Sequence, residues 1–142
     1  SGLASLRAVD APVPDNHIIL PEIISKEPLA PVVRHGDEEF ADIVRWSVYA
    51  TIEAEELGIN SKNLDQMLKS EDPGIKRFLG ATPGNGKALG IDEKFALNIV
   101  KQVGNYAEIF ERHVGKGTPL KLERGLNDLW TRGGLQYAQP FR

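Results

Sequence analysis

The sequence predicts an α/β chain that is dominated by helices and carries a short strand-containing arm at its N-terminus. All ten aromatic residues follow position 39, and five of the nine prolines precede position 32. From Asp37 onward, apolar residues recur at the spacing of a helix. Because aromatic side chains supply much of a core's buried area, we expect that residues 1–34 cannot fold alone. They are either one end of a larger unit or an arm that packs elsewhere.

The arm is predicted to combine a short helical region with two extended segments. Residues 5–9 favour one or two helical turns, which the following prolines end. The β-branched run at 17–24 predicts a short strand, which Pro21 stops or confines to a sheet edge. Residues 29–34, with the sequence LAPVVR, predict a second extended segment.

The strongest predicted element is a helix that begins after Asp37 and stops at Gly58. Asp37 is suited to cap its N-terminus, and the two glutamates that follow favour the positive end of the helix dipole. Gly58 supplies a left-handed stop. The apolar stripe of this helix consists of Phe40, Ile43, Val44, Ser47, Val48, Thr51 and Ile52.

Shorter helices are predicted for the rest of the body. They cover about 61–69, 73–79 with Pro73 in the first turn, 92–103 closed by Gly104, 105–114 with a capping box at Asn105 and Glu108, and 124–132. The sequence contains no internal repeat, heptad array or low-complexity tract.

Composition limits the functions that this chain of 142 residues can have. Its 41% hydrophobic and 26% charged residues fit one globular domain or a large piece of a bigger one. Seventeen basic against 20 acidic residues give a net charge of −3, which argues against binding nucleic acid through its phosphates. The lack of cysteine excludes disulfides and cysteine nucleophiles. No apolar run approaches the roughly 20 residues of a membrane span.

One glycine-rich segment, from Ala81 to Ala88, has the look of a phosphate-binding loop. The pattern requires Gly, four residues, Gly-Lys and then Ser or Thr. Here alanine stands at the first and the last position, so the hydroxyl that would bind magnesium is missing. No buried strand precedes the segment, and we interpret it as a connector between helices.

The three histidines do not form a metal site by spacing. His17, His35 and His113 each lack a second ligand-type partner at zinc-site spacing. His35 can pair with the glutamates that follow it, and a protonated His113 is favoured at a helix C-terminus. Surface or structural roles are the simpler interpretation, and no nucleophile motif indicates catalysis.

Charge is distributed unevenly along the chain. Residues 37–56 hold seven carboxylates and one base, Arg45. Glu53 and Glu56 share a helical face and could bind a hard cation or act as acid and base, but a solvated helix face is the simpler interpretation. Residues 112–132 hold five bases and two acids. This excess could meet the acidic helix or a partner surface.

Several runs of residues resemble one protein family. They are SGLASLRA at 1–8, IILPEIISKEPLAPVVRHGD at 18–37, FADIVRW at 40–46 continuing to EAEELG at 53–58, QVGNYAEIFER at 102–112, and RGLNDLW at 124–130 continuing to 142. The family is the periplasmic general L-amino-acid-binding proteins, the solute-binding components of bacterial amino-acid ABC importers. The resemblance covers essentially the whole chain but only the C-terminal part of a family member.

This resemblance implies the C-terminal portion of a two-lobed periplasmic-binding-protein-like fold. Residues 1–31 would be the end of the second lobe and the return crossover, which lies around 26–31. Residues 32–142 would be the C-terminal part of the first lobe with a helical extension. The family's contacts to the ligand's α-ammonium and α-carboxylate would lie before Ser1, so no ligand-binding residue is assigned and Ser1 is not expected to be one.

Two hypotheses of different classes follow. The first is a fragment of a non-catalytic receptor that captures L-amino acids in the periplasm and delivers them to a membrane ABC permease, with no cofactor, metal or nucleic acid. The second is an autonomous helical protein-interaction module that uses the acidic helix at 37–56 and the basic tail at 112–132. Because the arm would expose strand edges and apolar surface, we expect the fragment to self-associate.

Overall fold

The computed structural model describes residues 2–20, 22, 24–25 and 28–142. The α-helices are α1 (Gly2–Ser5), α2 (Glu38–Glu56), α3 (Leu64–Met67), α4 (Pro73–Phe78), α5 (Asn85–Leu89), α6 (Phe95–Val103) and α7 (Tyr106–His113). A π-helical turn follows α1 at Leu6–Asp10, and 3-10 turns occupy Pro14–Asn16, Gly125–Asn127 and Trp130–Arg132. Within the described ranges, no helix has the length and apolar character needed to cross a membrane.

Helix α2 is the longest element and has the predicted bounds. Oδ1 of Asp37 accepts a hydrogen bond from the backbone N of Phe40 at 3.3 Å, and Gly58 beyond the helix has a φ of +70°. Ala50 and Ala54, one turn apart, are fully buried in the same core cluster as residues of α6. Because these side chains are small, α6 can pack closely against the second half of α2.

The predicted capping box is present at the start of α7. Oδ1 of Asn105 accepts from the backbone N of Glu108 at 3.0 Å, and Oε2 of Glu108 accepts from the backbone N of Asn105 at 2.9 Å. Asn105 is buried, and its Nδ2 donates to the carbonyl oxygen of Ile59 at 2.8 Å. One residue therefore caps α7 and joins it to the loop that follows α2.

The C-terminal tail closes the core with Phe141. The centroid of this buried ring lies 5.2 Å from that of Trp46, 5.1 Å from that of Phe78 and 5.9 Å from that of Phe95. Aromatic pairs at these distances are favourable. The sequence did not predict this role, because the Pro-containing tail has no periodic pattern.

The predicted helices at 61–69 and 92–103 both begin later than expected. Helix α3 starts at Leu64 because Oδ1 of Asn63 accepts from the backbone N of Asn60 at 2.8 Å, while Oδ1 of Asn60 accepts from that of Asn63 at 3.1 Å. Helix α6 starts at Phe95 because Oδ1 of Asp92 accepts a hydrogen bond from the backbone N of Lys94 at 2.6 Å. Short polar side chains that bond local backbone compete with a helical first turn.

The helix predicted at 124–132 does not form. Two 3-10 turns replace it, because Leu129 is extended and pairs with Gln136 in a parallel bridge. The helices predicted at 73–79 and 105–114 are present as α4 and α7. Pro73 stands in the first turn of α4, as predicted.

The arm matches the prediction at its helical start but not in its strands. Helical residues from Gly2 to Asp10 cover the predicted turns at 5–9. The strand predicted at 17–24 is not confirmed, since its described residues carry no strand and positions 21 and 23 lie outside the described residues. Residues 29–34 carry none either, and positions 26 and 27 of the expected crossover also lie outside. A strand needs a neighbouring strand to satisfy its backbone, and the described residues provide none to either segment.

Candidate functional site

The described part of the arm forms an apolar hollow of about 630 Å³. Its walls consist mainly of Leu3, Leu6, Ala11, Ile18, Ile19, Leu20 and Ile24, with Arg7, Asp10, His17 and Glu22 among them. Ile18 is 84% exposed and Ile24 is 97% exposed. Large apolar side chains gathered in this way are typical of a surface that other polypeptide covers.

Arg7 brings a guanidinium to this hollow, but the arm itself engages it. Nε of Arg7 donates to the carbonyl oxygen of Pro14 at 3.0 Å, and Nη2 lies 3.8 Å from Oδ1 of Asp15. An amino-acid ligand needs a cation for its carboxylate and an acceptor for its ammonium, both shielded from water. The open hollow therefore fits the burial of apolar chain better than the capture of a zwitterion.

A second uncovered surface lies along the first half of α2. A groove of about 270 Å³ is lined by the segment 30–33 on one side and by Ala41, Val44 and Val48 of the helix on the other. Phe40 at the start of the helix is 50% exposed. The described residues therefore bury the second half of the predicted apolar stripe and leave part of its first half uncovered.

The glycine-rich segment at 81–88 binds a carboxylate of this chain. Oε2 of Glu93 accepts from the backbone N of Gly84 and of Gly86, and Oε1 accepts from that of Lys87, each at 3.0 Å. The bond from Gly84 is the main reason why the pKa of Glu93 lies below its ordinary value, since it favours the charged form. The donors that a phosphate loop would offer to a nucleotide are thus occupied, which agrees with the interpretation as a connector.

The acidic helix and the basic tail meet at Glu55. This buried carboxylate accepts from Arg124 at 3.0 Å through Oε2 and from Arg132 at 3.1 Å through Oε1. The guanidinium of Arg124 also lies over the rings of Tyr106 and Phe110, at 5.3 and 5.4 Å from their centroids. The sequence indicated that the basic tail could meet either the acidic helix or the surface of another protein. Arg124 and Arg132 meet the acidic helix.

The pair Glu53 and Glu56 does not form a metal or acid–base site with the described residues. Burial raises the pKa of Glu53, and repulsion from Glu56 adds to the effect. Glu56 is exposed, and its Oε1 accepts from Nε1 of Trp130 at 3.1 Å. In the part of the chain that the structure describes, no three His, Asp or Glu side chains are placed to hold a metal ion.

The histidines have local surroundings. Nδ1 of His17 lies 3.0 Å from the carbonyl oxygen of Val13. His35 is exposed in the turn before α2, and His113 stands in the last turn of α7 as predicted. Ser1, beside which the family's ligand contacts would lie, is outside the described residues.

Proteins similar to this chain are periplasmic receptors for amino acids. The chain is 57% identical over its whole length to the general L-amino acid-binding periplasmic protein AapJ of Rhizobium johnstonii, of which it covers 42%. It is also 55% identical to the putative amino-acid ABC transporter-binding protein YhdW of Escherichia coli. That match covers 91% of this chain and 38% of YhdW. A third relative is the glutamate/glutamine/aspartate/asparagine-binding protein BztA of Rhodobacter capsulatus, which is 53% identical over the whole length of this chain. The chain covers 42% of BztA.

A solved structure has the same fold. It is an ABC transporter periplasmic binding protein from Brucella ovis with glutathione bound, 51% identical to this chain and superposed with a TM-score of 0.91. The match covers 99% of this chain and 45% of that protein. The chain spans about two fifths of the length of the curated relatives it matches. No family model matches the chain.

Proposed function

We propose, from the premise that this chain is homologous to the periplasmic amino-acid-binding proteins of ABC transporters, that it is the C-terminal portion of such a receptor. The receptor captures L-amino acids in the periplasm and delivers them to a membrane ABC permease, without catalysis. The observation that carries this proposal is the match of the whole chain, at more than half identical residues, to a part of each relative.

In this proposal, residues 1–31 form the end of the second lobe and the return crossover, and residues 32–142 complete the first lobe with a helical extension. The exposed apolar side chains of the arm support this division, because the remaining receptor would cover them. The segments 17–24 and 29–34 would become strands once partner strands satisfy their backbone groups.

The amino acid is bound mainly by parts of the receptor that precede Ser1. The engagement of Arg7 within the arm supports this assignment, since it leaves the hollow without a shielded cation for a carboxylate. An unpaired buried charge costs several kcal/mol, against about 8 kcal/mol for a micromolar dissociation constant. Calorimetry with polar and aliphatic L-amino acids should therefore detect no binding by residues 1–142, and micromolar binding would contradict the proposal.

Complementation is the sharpest test of the receptor assignment. The part of the Rhizobium johnstonii relative that this chain does not cover is mixed with the chain, and light scattering measures the complex. We expect a one-to-one complex that binds an L-amino acid in calorimetry. A chain carrying Ile18→Lys and Ile24→Lys should not form it, whereas Leu68→Lys, at an exposed leucine outside the arm, should. No complex, or equal failure of the control, would overturn the proposal.

The isolated chain is expected to self-associate through the same arm, with the arm of one copy packed on another. Its exposed leucines and isoleucines support this expectation. Light scattering over a range of concentrations should show a dimer or larger species, which Ile18→Lys with Ile24→Lys should convert to monomer. A monomer of 15.6 kDa at every concentration would exclude it.

The alternative, an autonomous interaction module built on the acidic helix and the basic tail, receives less support. Glu55 and Asp128 neutralise Arg124 and Arg132 within the chain, so these charges are not offered to a partner.

A further inference from the structure

Four large apolar side chains near the C-terminus are exposed together. They are Leu126 and Trp130, each 50% exposed, Leu135, 72% exposed, and Tyr137, 56% exposed. We refer to these four residues as the aromatic surface. It lies within 126–137, partly inside the basic stretch at 112–132 and partly after it, and it is far in sequence from the exposed arm.

Contacts within the loop join the four residues in two pairs. The ring centroids of Trp130 and Tyr137 are 5.8 Å apart with planes at 71°. The backbone N of Leu135 donates to the carbonyl oxygen of Leu126 at 2.8 Å. Exposure alternates from 135 to 138, with Ala138 buried, so Leu135 and Tyr137 point to the same outer side.

The loop that carries this surface is held firmly. Leu129 and Gln136 form a parallel bridge, and Nη1 of Arg132 donates to the buried Glu55 on α2. Gly134 packs so closely that an added Cβ would stand 1.8 Å from the carbonyl oxygen of Asp128. Rigid aromatic side chains lose little entropy on binding, which is why tryptophan and tyrosine dominate binding hot spots.

A carboxylate edge borders the aromatic surface. Oε1 of Glu56 accepts from Nε1 of Trp130 at 3.1 Å, and Glu53 lies one turn earlier on the same face of α2. Among the described residues, no lysine or arginine forms a salt bridge with either glutamate. Burial is the main reason why the pKa of Glu53 is raised, and repulsion from Glu56 adds to it. Tryptophan and tyrosine rings beside carboxylates attract a cation.

We propose that the aromatic surface and Glu56 form a docking site for a partner polypeptide that presents an arginine or lysine side chain between aliphatic residues. The cation lies against the aromatic rings and the carboxylate edge, and the aliphatic neighbours cover the two leucines. Charge complementarity selects this occupant, because an acidic or purely apolar segment would leave the carboxylates uncompensated.

The test uses the two tryptophans as separate reporters in ¹H–¹⁵N spectra, because Trp46 packs against the core and Trp130 lies on the proposed site. The probe is an acetylated, amidated Leu-Arg-Leu-Arg-Leu peptide, and its matched control replaces both arginines by glutamate. We expect the indole N–H of Trp130 to shift saturably with the arginine peptide alone, while that of Trp46 stays in place.

Four variants separate docking from unspecific attraction. Trp130→Ala should weaken binding about tenfold, read from the backbone amide of Tyr137, and Glu56→Gln roughly threefold. Asp65→Asn, which removes an exposed charge elsewhere, should leave binding unchanged. Leu135→Ser, at the most exposed position of the surface, should weaken binding without disturbing the fold. This variant keeps the proposal testable if Trp130→Ala unfolds the loop.

Several results would overturn the proposal. They are no shift of Trp130 with millimolar peptide, an equal shift with the glutamate peptide, or an equal loss in Asp65→Asn. A Trp130 resonance that moves with protein concentration alone would assign the surface to a second copy of the chain instead. Because the site is separate from the arm, none of these results bears on the complementation test of the receptor assignment.

Discussion

Replacing Phe141 by alanine tests whether the last residues of the chain complete the core. Phe141 is 5% exposed and lies close to three aromatic rings. Truncating a buried phenylalanine costs about 3–5 kcal/mol. Because residues 137–142 carry no helix or strand, this segment can partly collapse into the space. We therefore expect the lower end, about 3 kcal/mol, or about 9 °C in melting temperature for a chain of this size.

The free energy of unfolding can be measured by urea denaturation, with fluorescence and circular dichroism required to give the same transition. Phe141→Leu keeps most of the apolar volume and should lose less than about 1.5 kcal/mol. Leu135→Ala, at a 72% exposed position, should stay within about 0.5 kcal/mol of the original chain. A loss below about 1 kcal/mol for Phe141→Ala, similar to that of Leu135→Ala, would refute a structural role for the tail.

Three further predictions concern contacts that hold the loops in place. Glu55→Gln removes the buried carboxylate that pairs with Arg124 and Arg132, and it should cost about 2 kcal/mol in urea denaturation. The exposed Glu56→Gln should cost under about 0.5 kcal/mol. Glu93→Gln should lower the melting temperature at pH 7. The pKa of Glu93 is lower in the folded state than in the unfolded state. The stability that the Glu93 carboxylate adds is therefore fully present above the unfolded pKa of about 4.3 and is lost as pH falls through the folded pKa. The melting temperatures of the original chain and of Glu93→Gln should thus converge in acid. Gly134→Ala should abolish amide-exchange protection of the 129–136 bridge, whereas Gly117→Ala, with nothing within 4 Å, should preserve it. Equal effects in either matched pair, or a pH-independent Glu93→Gln difference, would contradict these assignments.

Local signals in the sequence predicted the elements whose causes are local. The cap at Asp37, the capping box at Asn105 and the proline at the start of α4 depend on residues within four positions of one another. Each is present in the structure. The predicted bounds of α3 and α6 were less accurate. Short polar side chains can cap a helix, but at these two places they stabilise the turn that precedes the helix.

Comparison of residue runs with a known family gave the class of protein, while composition and spacing alone stopped at a helix-rich chain with an incomplete arm. The strands expected in that arm depend on partners from outside the described residues. A strand forms only when its backbone groups are paired, so the local pattern at 17–24 could state a preference but could not satisfy it.

By itself, the sequence determined the helical body, the caps, the apolar arm and the failure of residues 81–88 as a phosphate loop. The tertiary structure decided which distant groups meet: Glu93 with the glycine-rich segment, Glu55 with Arg124, and Phe141 with the aromatic core. These contacts join side chains across loops whose path no short-range periodicity describes. Their partners are chosen by burial and charge once the helices have packed, which is why only the folded chain could identify them.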